Sequence, residues 1–320
     1  MLKLLALAPS GFALRMTETP VPKAITTIQD ILKELKNSLE NDESALEARI
    51  IVQNILNLEA SELITHADTK LTRNQLKTIR DIRDKRNSDK TPLAYLLEEA
   101  PFRDLKLFVN NDVLIPRPET ELLVDMILDE IKARKIYEPT ILDLGTGSGC
   151  IAIALKLAMP KARVFASDIS RAALNVASIN AKRYNAEIEF VMGDYLDPFT
   201  MQSNQSLIGI PVMKGKPPYF DIIVSNPPYI SKEDYTQLEA ELFHEPKHAL
   251  VGFPYEMIKK QGLALLKENG FMIFEFGIGQ EEKLSKIFPE AQFFKDLSGT
   301  TRHLIWSPAK PEKILGFKPL

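Results

Sequence analysis

The residues of this sequence that point most directly to chemistry are Asn226-Pro227-Pro228-Tyr229, which follow a strand-like run at 219–225. Neither proline has a backbone N–H to donate, and both have a fixed φ, so they end the strand and stiffen the turn. This Asn-Pro-Pro-Tyr turn can present the Asn226 side chain and nearby carbonyls as acceptors for the N–H bonds of a planar amide or amino group, beside an aromatic ring. A rigid turn after a buried strand has the same residue types, so the tetrapeptide alone leaves both interpretations open.

A glycine-rich segment lies upstream, after another strand-like run at 140–144. In this glycine loop, Gly145-Thr146-Gly147-Ser148-Gly149, the alternating glycines permit a tight turn and a close approach of a ligand to the backbone. The next predicted strand ends in Asp168, about 20 residues further on, where a carboxylate can accept hydrogen bonds from ribose hydroxyls. The pattern indicates a nucleoside site, although a glycine-rich turn also occurs in α/β proteins without one.

The charge beside the glycine loop favours one nucleoside ligand over the others. Asp143 lies within the preceding strand, and an anion there disfavours a pyrophosphate but suits a cation. The glycine spacing also differs from the G-x-G-x-x-G pattern of dinucleotide-binding loops. S-Adenosylmethionine carries a sulfonium, an amino group and a ribose but no phosphate, and we therefore expect it as the cofactor.

A third segment of interest is residues 113–121, Val-Leu-Ile-Pro-Arg-Pro-Glu-Thr-Glu. Prolines on both sides hold Arg117 in extended backbone, and Pro118 is suited to the start of the following helix. Glu119 and Glu121 favour the positive end of that helix. Helix capping explains Pro118 and the two glutamates. Arg117, held in extended backbone between two prolines and beside carboxylates, can alternatively form part of the wall of a cleft.

These segments belong to a predicted α/β domain, residues 119–308, in which strands and helices alternate. Strands are expected at 140–144, 162–168, 188–191 and 219–225, with a surface loop at 200–218. The carboxyl ends of parallel strands meet at one edge of a sheet, so the glycine loop and the Asn-Pro-Pro-Tyr turn are predicted to face the same crevice.

Residues 21–99 have helical periodicity and predict a small domain of four or five helices. In the first helix, Ile28, Ile31 and Leu35 share one face. The third is expected to begin at Thr72, which forms a capping box with Gln75. The second helix is predicted to bury four residues: Leu46, Ile50, Ile51 and Ile55.

The third helix carries five basic residues, which we expect on a solvated face rather than on a docking surface: Lys77, Arg80, Arg83, Lys85 and Arg86. A β-hairpin linker is predicted at 100–118, with its turn at 110–112, where all three residues tolerate turn conformations. Residues 1–20 are expected to be a disordered extension rather than a targeting segment, and residues 309–320 a flexible tail.

The composition narrows the class of function. The 320 residues include 40 basic and 43 acidic ones, a net charge of −3 that does not support a dominant phosphate-binding surface. The single cysteine, Cys150, is expected to be a small packing residue, and one thiol fits a reducing cytoplasm. The four histidines show no metal-ligand spacing and are expected at the surface. No apolar run approaches the about 20 residues of a membrane helix.

Together these motifs resemble a known family. The segment Asp143–Gly149 is similar to the cofactor motif of class I methyltransferases, and the Asn-Pro-Pro-Tyr turn to the motif with which such enzymes methylate planar nitrogens. Residues 113–121 resemble the signature of the peptide-chain release-factor glutamine N5-methyltransferase family, and the similarity extends from about residue 25 to residue 306. The resemblance implies a Rossmann-like α/β domain with a mostly parallel seven-stranded sheet, preceded by a helical substrate-docking domain and the hairpin linker.

The resemblance also implies residue roles. S-Adenosylmethionine would contact a set of eleven residues: Asp143, Gly145, Thr146, Gly147, Ser148, Gly149, Asp168, Ile169, Asp194, Tyr195 and Asn226. The substrate glutamine would contact Asn226, Pro227, Pro228, Tyr229, Arg117 and Glu119, with Asn226 and Pro227 as the catalytic pair. Peptide-chain release factors would be the protein substrates, and neither a metal, a membrane nor a nucleic-acid substrate is implied.

Three other functions remain open at this point. An adenine-N6 nucleic-acid methyltransferase shares the Asn-Pro-Pro-Tyr chemistry but normally needs a recognition domain or a basic face. A ribosomal-protein glutamine methyltransferase would differ mainly around Arg117. A noncatalytic adaptor could bind a nucleoside through the glycine loop alone, and the intact Asn-Pro-Pro-Tyr turn argues against it.

Overall fold

The computed structural model describes residues 26–199 and 219–308, which divide into two compact units at Asp84 and Lys85. From residue 26 onward, five helices precede the first described strand: α1 Ile28–Ser38, α2 Ser44–Leu56, α3 Glu62–Thr65, α4 Arg73–Ser88 and α5 Leu93–Leu97. This number lies within the predicted range, and the predicted capping box between Thr72 and Gln75 is present. The division falls within α4, and the predicted domain boundary at residue 99 stays a prediction.

The buried face of α2 agrees only in part with the predicted one. Leu46 is 51% exposed and Ile50 is 38% exposed. The helix instead buries Glu47, Ala48, Ile51 and Val52. Glu47 can lie on this face because its Oε2 accepts a hydrogen bond of 2.9 Å from Asn41 Nδ2. The prediction was therefore wrong for Leu46 and Ile50 and right for Ile51.

The basic face of α4 is largely paired rather than solvated. Arg80 and Arg83 both bind the carboxylate of Glu34 in α1, with shortest N–O distances of 2.7 and 3.0 Å. Arg86 is only 7% exposed and forms an ion pair of 2.7 Å with Glu241. The expectation of a solvated face is therefore wrong for Arg83 and Arg86, whereas the paired Arg80 side chain is still 40% exposed.

A β-hairpin follows the helices, but its turn is not where the sequence predicted it. The strands are β1 Glu99–Phe102 and β2 Leu105–Phe108, joined by a two-residue turn at Arg103, which has a φ of 54°, and Asp104. The segment 110–112 forms a separate turn, in which Asn110 Oδ1 accepts a hydrogen bond of 3.1 Å from the Asp112 backbone N–H. Both segments contain turn-forming residues, and strand pairing selects the first as the hairpin turn.

The remaining strands form one seven-stranded sheet. In chain order they are β3 Thr140–Leu144, β4 Arg163–Asp168, β5 Ile188–Met192, β6 Phe220–Ser225, β7 Leu266–Glu275, β8 Gln292–Lys295 and β9 Thr301–Trp306. The spatial order is β5-β4-β3-β6-β7-β9-β8, and only the pairings of β9 are antiparallel. The predicted α/β fold with a mostly parallel seven-stranded sheet is confirmed.

Helices connect and cover the sheet: α6 Pro118–Ala133, α7 Cys150–Ala158, α8 Arg171–Arg183, α9 Lys232–Tyr235, α10 Lys247–Leu250, α11 Tyr255–Gly262 and α12 Glu281–Ile287. Two short 3₁₀ helices lie at Asp197–Phe199 and Ala240–His244. Alternate strand residues enter two separate cores, as a sheet covered on both faces requires. Ile141 packs in the core that contains α6 and α7, whereas Leu142 packs in the one that contains residues of α11 and α12.

Cys150 is buried in the first of these cores, as expected for a packing residue. No helix within residues 26–199 and 219–308 combines the length and the apolar character needed to cross a bilayer. The predicted extension at 1–20, the predicted loop at 200–218 and the predicted tail at 309–320 lie outside the described residues.

Candidate active site

The site lies at the carboxyl ends of β3 and β6, where the strand order reverses. Leu144 and Ser225 are register partners on these adjacent parallel strands. The buried Ser225 hydroxyl donates a hydrogen bond of 2.7 Å to the Leu144 carbonyl, which fastens the two strand ends together. The glycine loop and the Asn-Pro-Pro-Tyr turn therefore begin side by side, at the topological switch point where open α/β sheets bind ligands.

A cleft that is partly open to solvent lies at this point. Sixteen residues line it: Asp112, Val113, Leu114, Gly145, Gly147, Asp168, Ile169, Ala173, Gly193, Asp194, Tyr195, Asn226, Pro227, Pro228, His248 and Ala249. The structure thus brings together nine of the residues singled out in the sequence. The others, including Arg117, Glu119 and Tyr229, do not line this cleft.

The glycine loop is shaped by backbone conformations that favour glycine. Gly145, Gly147 and Gly149 have φ values of 67°, 55° and 83°. A Cβ at Gly145 or Gly147 would meet no atom within 4 Å, so the loop leaves open space on the cleft side. At Gly149 a Cβ would lie 3.1 Å from the side chains of Ala177 and Ile153. The first two glycines therefore leave room for a ligand, and the third allows close helix packing.

Asp143 supports this loop from beneath rather than from within the cleft. Its side chain is 1% exposed, and its Oδ2 accepts a hydrogen bond of 2.7 Å from the Thr146 hydroxyl. Burial raises the pKa of Asp143 to about 7, and the hydrogen bond from Thr146 opposes that rise. Its Oδ1 has no hydrogen-bond partner among the described residues. Direct contact of Asp143 with a cofactor stays a prediction.

Asp168 joins the glycine loop to the end of β4. Its Oδ2 accepts a hydrogen bond of 3.0 Å from the Gly147 N–H, and its Oδ1 one of 2.8 Å from the Ser170 N–H. Burial raises the pKa of this carboxyl, while the two backbone hydrogen bonds and the nearby His248 lower it. Each oxygen retains a lone pair, and Asp168 lines the cleft. The carboxylate can therefore accept a hydrogen bond from a hydroxyl of a bound nucleoside.

The segment after β5 forms another side of the cleft. Gly193 donates a backbone hydrogen bond of 3.0 Å to the Asp168 carbonyl, and Asp194 and Tyr195 follow it. Burial raises the pKa of Asp194, with a further contribution from Asp197. Burial also raises the pKa of Tyr195 to about 12, so that this residue presents a neutral ring.

Asn226 is held on one side by a buried polar pair. Its Nδ2 donates a hydrogen bond of 3.0 Å to Thr120 Oγ1, and the Thr120 hydroxyl donates one of 2.7 Å to Glu275 Oε2. Thr120 is 2% exposed and Glu275 is 1% exposed. Burial raises the pKa of Glu275 to about 7, and the hydrogen bonds from Thr120 and Asn226 oppose that rise. These three residues come from the first turn of α6, the end of β6 and the end of β7.

The rest of the Asn-Pro-Pro-Tyr turn is fastened by Gln280. The Gln280 Nε2 donates a hydrogen bond of 2.8 Å to the Tyr229 carbonyl, and its Oε1 accepts one of 3.2 Å from the Gly277 N–H. A Cβ at Gly277 would lie 3.1 Å from the Tyr229 ring, so the chain after β7 passes directly against that ring. Tyr229 thus packs behind the cleft, and its contact with a substrate stays a prediction.

Arg117 forms an ion pair with Glu245, a residue from a remote segment of the chain. Its Nη2 lies 2.6 Å from Glu245 Oε1, and the Ile115 N–H donates a hydrogen bond of 3.3 Å to Glu245 Oε2. Glu245 is 4% exposed; burial raises its pKa and Arg117 lowers it. The pair connects the extended segment before α6 to the segment that supplies His248 and Ala249 to the cleft. The direct contact of Arg117 and Glu119 with substrate stays a prediction.

Sequence reasoning missed several of these contributions. Thr120 lies in a segment that was interpreted from its charged residues and prolines alone. Val113 and Leu114 were assigned to the predicted hairpin, although they line the cleft. His248 lines it as well. His303 is fully buried in β9, contrary to the expected surface position, and its Nε2 lies 3.1 Å from the Glu119 carbonyl. Burial lowers the pKa of His303 to about 4, so the ring is neutral.

The lining of the cleft suits S-adenosylmethionine. It contains three carboxylates, Asp112, Asp168 and Asp194, and none of the described residues that line it is a lysine or an arginine. Acceptors without cationic partners favour a ligand that carries a positive charge and no phosphate. The open space above Gly145 and Gly147 and the acceptor at Asp168 are where an amino-acid part and a ribose would fit.

Comparison with known proteins agrees with this geometry. Residues 118–252 match the family model of the methyltransferase small domain, and residues 26–97 match that of the PrmC N-terminal domain. A release factor glutamine methyltransferase of Lactococcus lactis is 37% identical over 254 residues, which cover 78% of this chain and 86% of that protein. One of Chlorobaculum tepidum is 35% identical over 277 residues, which cover 82% and 90%.

A third relative is longer than this chain. A bifunctional methyltransferase of Rickettsia felis is 31% identical over 323 residues, which cover 88% of this chain but only 58% of that protein. The chain therefore spans little more than half the length of this relative.

The mostly parallel sheet and the matched methyltransferase domain place the protein among the class I methyltransferases. Within that class, the two matched domains and the relatives from L. lactis and C. tepidum identify a narrower group. The chain belongs to the release factor glutamine methyltransferase family.

Proposed function

We propose that this protein methylates the side-chain amide nitrogen (N5) of the glutamine in the Gly-Gly-Gln motif of peptide-chain release factors, and so supports translation termination. One observation carries the proposal: Asn226 lines the same cleft as Gly145 and Gly147 of the glycine loop and the carboxylate of Asp168. The relatives named release factor glutamine methyltransferase support this choice of substrate.

The chemical task is to orient a weak nucleophile. The lone pair of an amide nitrogen is delocalised into its carbonyl, and S-adenosylmethionine supplies a methyl group on a sulfonium. Asn226 Oδ1 and the Pro227 carbonyl accept the two N–H bonds of the glutamine amide. Pro227 is buried and has no N–H of its own that would compete for the substrate. Orientation of this kind can contribute roughly 7–11 kcal/mol to lowering a barrier.

The cofactor half of the cleft performs a separate task. Gly145 and Gly147 admit the amino-acid part of the cofactor, Asp168 accepts its ribose hydroxyls, and Ile169, Asp194 and Tyr195 surround its base. No strong general base is needed, because the proton of the methylated amide can leave to water after the nitrogen–carbon bond forms. The helical residues matched by the PrmC N-terminal domain are proposed to dock the release factor.

The test is transfer of a labelled methyl group from S-adenosylmethionine to three purified substrates: a release factor, a preparation of ribosomal proteins, and DNA. We expect label on the release factor alone, and mass spectrometry should place one methyl group on its Gly-Gly-Gln glutamine. A release factor with that glutamine changed to glutamate is the matched control and should remain unlabelled. Label on DNA or ribosomal proteins without label on the release factor would overturn the proposal.

A further inference from the structure

The buried pair Thr120 and Glu275 lies directly behind the residue to which the proposed function assigns the substrate amide. Thr120 stands in the first turn of α6, and Glu275 is the last residue of β7, 155 positions later in the chain. Neither residue lines the cleft. Thr120 nevertheless contacts Asn226, which does line it, and Glu275 contacts Thr120.

The direction of the hydrogen bonds in this group follows from the chemistry of its members. An ionised carboxylate has no hydrogen to donate, so the Thr120 hydroxyl must donate to Glu275 Oε2 across the 2.7 Å between them. That hydroxyl has one hydrogen, and only its lone pairs remain to face Asn226. Asn226 must therefore present its NH₂ group to Thr120, at 3.0 Å.

The same argument bears on the opposite orientation of the Asn226 amide. The Glu275 carboxylate, 2.7 Å from the Thr120 hydroxyl, takes the only hydrogen of that hydroxyl. A turned amide would place Oδ1 against a hydroxyl whose hydrogen is already in use. Acceptors facing acceptors in a buried site are strongly unfavourable. The group therefore permits one of the two amide orientations and excludes the other.

We infer that Thr120 and Glu275 are positioning residues that hold the Asn226 amide in the single orientation that offers Oδ1, and not NH₂, to the substrate. This inference rests on the proposed function of Asn226. Without the pair the amide is free to turn, and its NH₂ group would then meet the NH₂ group of the substrate glutamine, donor against donor. Turnover would fall although every residue of the cleft remained in place.

The sharpest variant is Glu275→Gln, which preserves size but replaces an acceptor-only group with one that can donate to Thr120. The Thr120 hydroxyl is then free to donate to Asn226 Oδ1, and the orientation is lost. We expect kcat on the release factor to fall by about 10- to 100-fold, less than for loss of a group that contacts the transition state. The Kd for S-adenosylmethionine, measured by calorimetry, should not change. The assay should be run at pH 8.5, where Glu275 is ionised.

Two substitutions at Thr120 complete the series. Thr120→Val removes the hydroxyl and should lower kcat by a similar factor, whereas Thr120→Ser keeps the hydroxyl and should restore most of the rate. Tyr255→Phe is the matched control, because the Tyr255 hydroxyl donates a buried hydrogen bond of 2.9 Å to the Glu275 backbone carbonyl but does not contact Asn226. It should lower the Tm and leave kcat unchanged at a temperature where the variant is folded.

The outcomes separate this inference from the proposed function. Full kcat in Glu275→Gln and Thr120→Val, together with an inactive Asn226→Ala, would overturn the positioning role alone. Activity in Asn226→Ala would overturn the function itself. A loss in Tyr255→Phe equal to that in Glu275→Gln would show that general weakening of the strand end, and not amide orientation, lowers the rate.

Discussion

The two halves of the cleft are built on the same chemical unit, a buried carboxylate that accepts a hydrogen bond from a threonine. Asp143 holds Thr146 beneath the glycine loop, and Glu275 holds Thr120 behind Asn226, each across 2.7 Å. Burial raises the pKa of both carboxyls to about 7. The difference lies in the chain: Thr146 follows Asp143 by 3 residues, whereas 155 residues separate Thr120 from Glu275.

This difference separates the tasks of the two halves. The cofactor half is assembled from residues that are close together in the chain. The hydrogen bond of Thr146 therefore acts only on the glycine loop in which Thr146 itself lies. The substrate half joins three elements, α6, β6 and β7. Its threonine, Thr120, donates to Glu275 and accepts from Asn226, and so fixes the orientation of a side chain in the cleft. We therefore expect changes in the first half to act on cofactor binding, and changes in the second to act on turnover.

Asn226→Ala should have the largest effect and should act mainly on the substrate half. It removes the acceptor that orients the substrate amide, so kcat on the release factor should fall by about 10³-fold, as for loss of a preorganised group at a transition state. Calorimetry with S-adenosylmethionine should still detect binding. A variant that turns over at the wild-type rate, or that loses cofactor binding entirely, would contradict the division between the halves.

Gly147→Val should have a smaller effect, confined to the other half. Gly147 has a φ of 55°, a conformation that costs a β-branched residue about 1–2 kcal/mol. The loop will relax from this conformation in the free protein, and the added side chain enters the open space that Gly147 leaves for the cofactor. The Kd for S-adenosylmethionine should therefore rise by at least about tenfold. The kcat at saturating cofactor should be nearly unchanged.

Gly299→Val is the control for that substitution. Gly299 has a φ of 85°, and a Cβ there would meet no atom within 4 Å, as at Gly147, but it lies in the turn between β8 and β9. It should carry similar strain without changing the Kd. An equal rise in the Kd for both variants would attribute the effect to lost stability rather than to the cofactor loop.

The same contrast explains how much of the molecule could be predicted from the sequence. Strand β3, the glycine loop and Asp168 follow from local patterns, and the structure places them as expected. The turn of the hairpin and the buried face of α2 were wrong, because strand pairing and the Asn41–Glu47 hydrogen bond decide them. Thr120 and Glu245 could not be assigned, because their partners come from remote segments that only the folded chain brings together.

We expect the two buried carboxylates to contribute alike to the pH dependence of stability, although they differ in function. Burial raises the pKa of Glu275 from an ordinary value of 4.5 to about 7, and that of Asp143 from 3.8 to about 7. The folded protein therefore binds a proton more tightly than the unfolded chain does. The stability gained from this is fully present below the ordinary pKa and is lost as the pH rises through about 7.

Glu275→Gln and Asp143→Asn each remove one of these titrations. The unfolding free energy of wild type, minus that of either variant, should therefore decrease between pH 5 and pH 8, by at most about 3 kcal/mol. Urea unfolding at the two pH values measures this difference. A difference that stays constant with pH would show that the carboxyl concerned is already ionised at pH 5. If both differences shift but only Glu275→Gln lowers kcat, the two carboxylates share a physical setting, and only the one connected to Asn226 acts on the reaction.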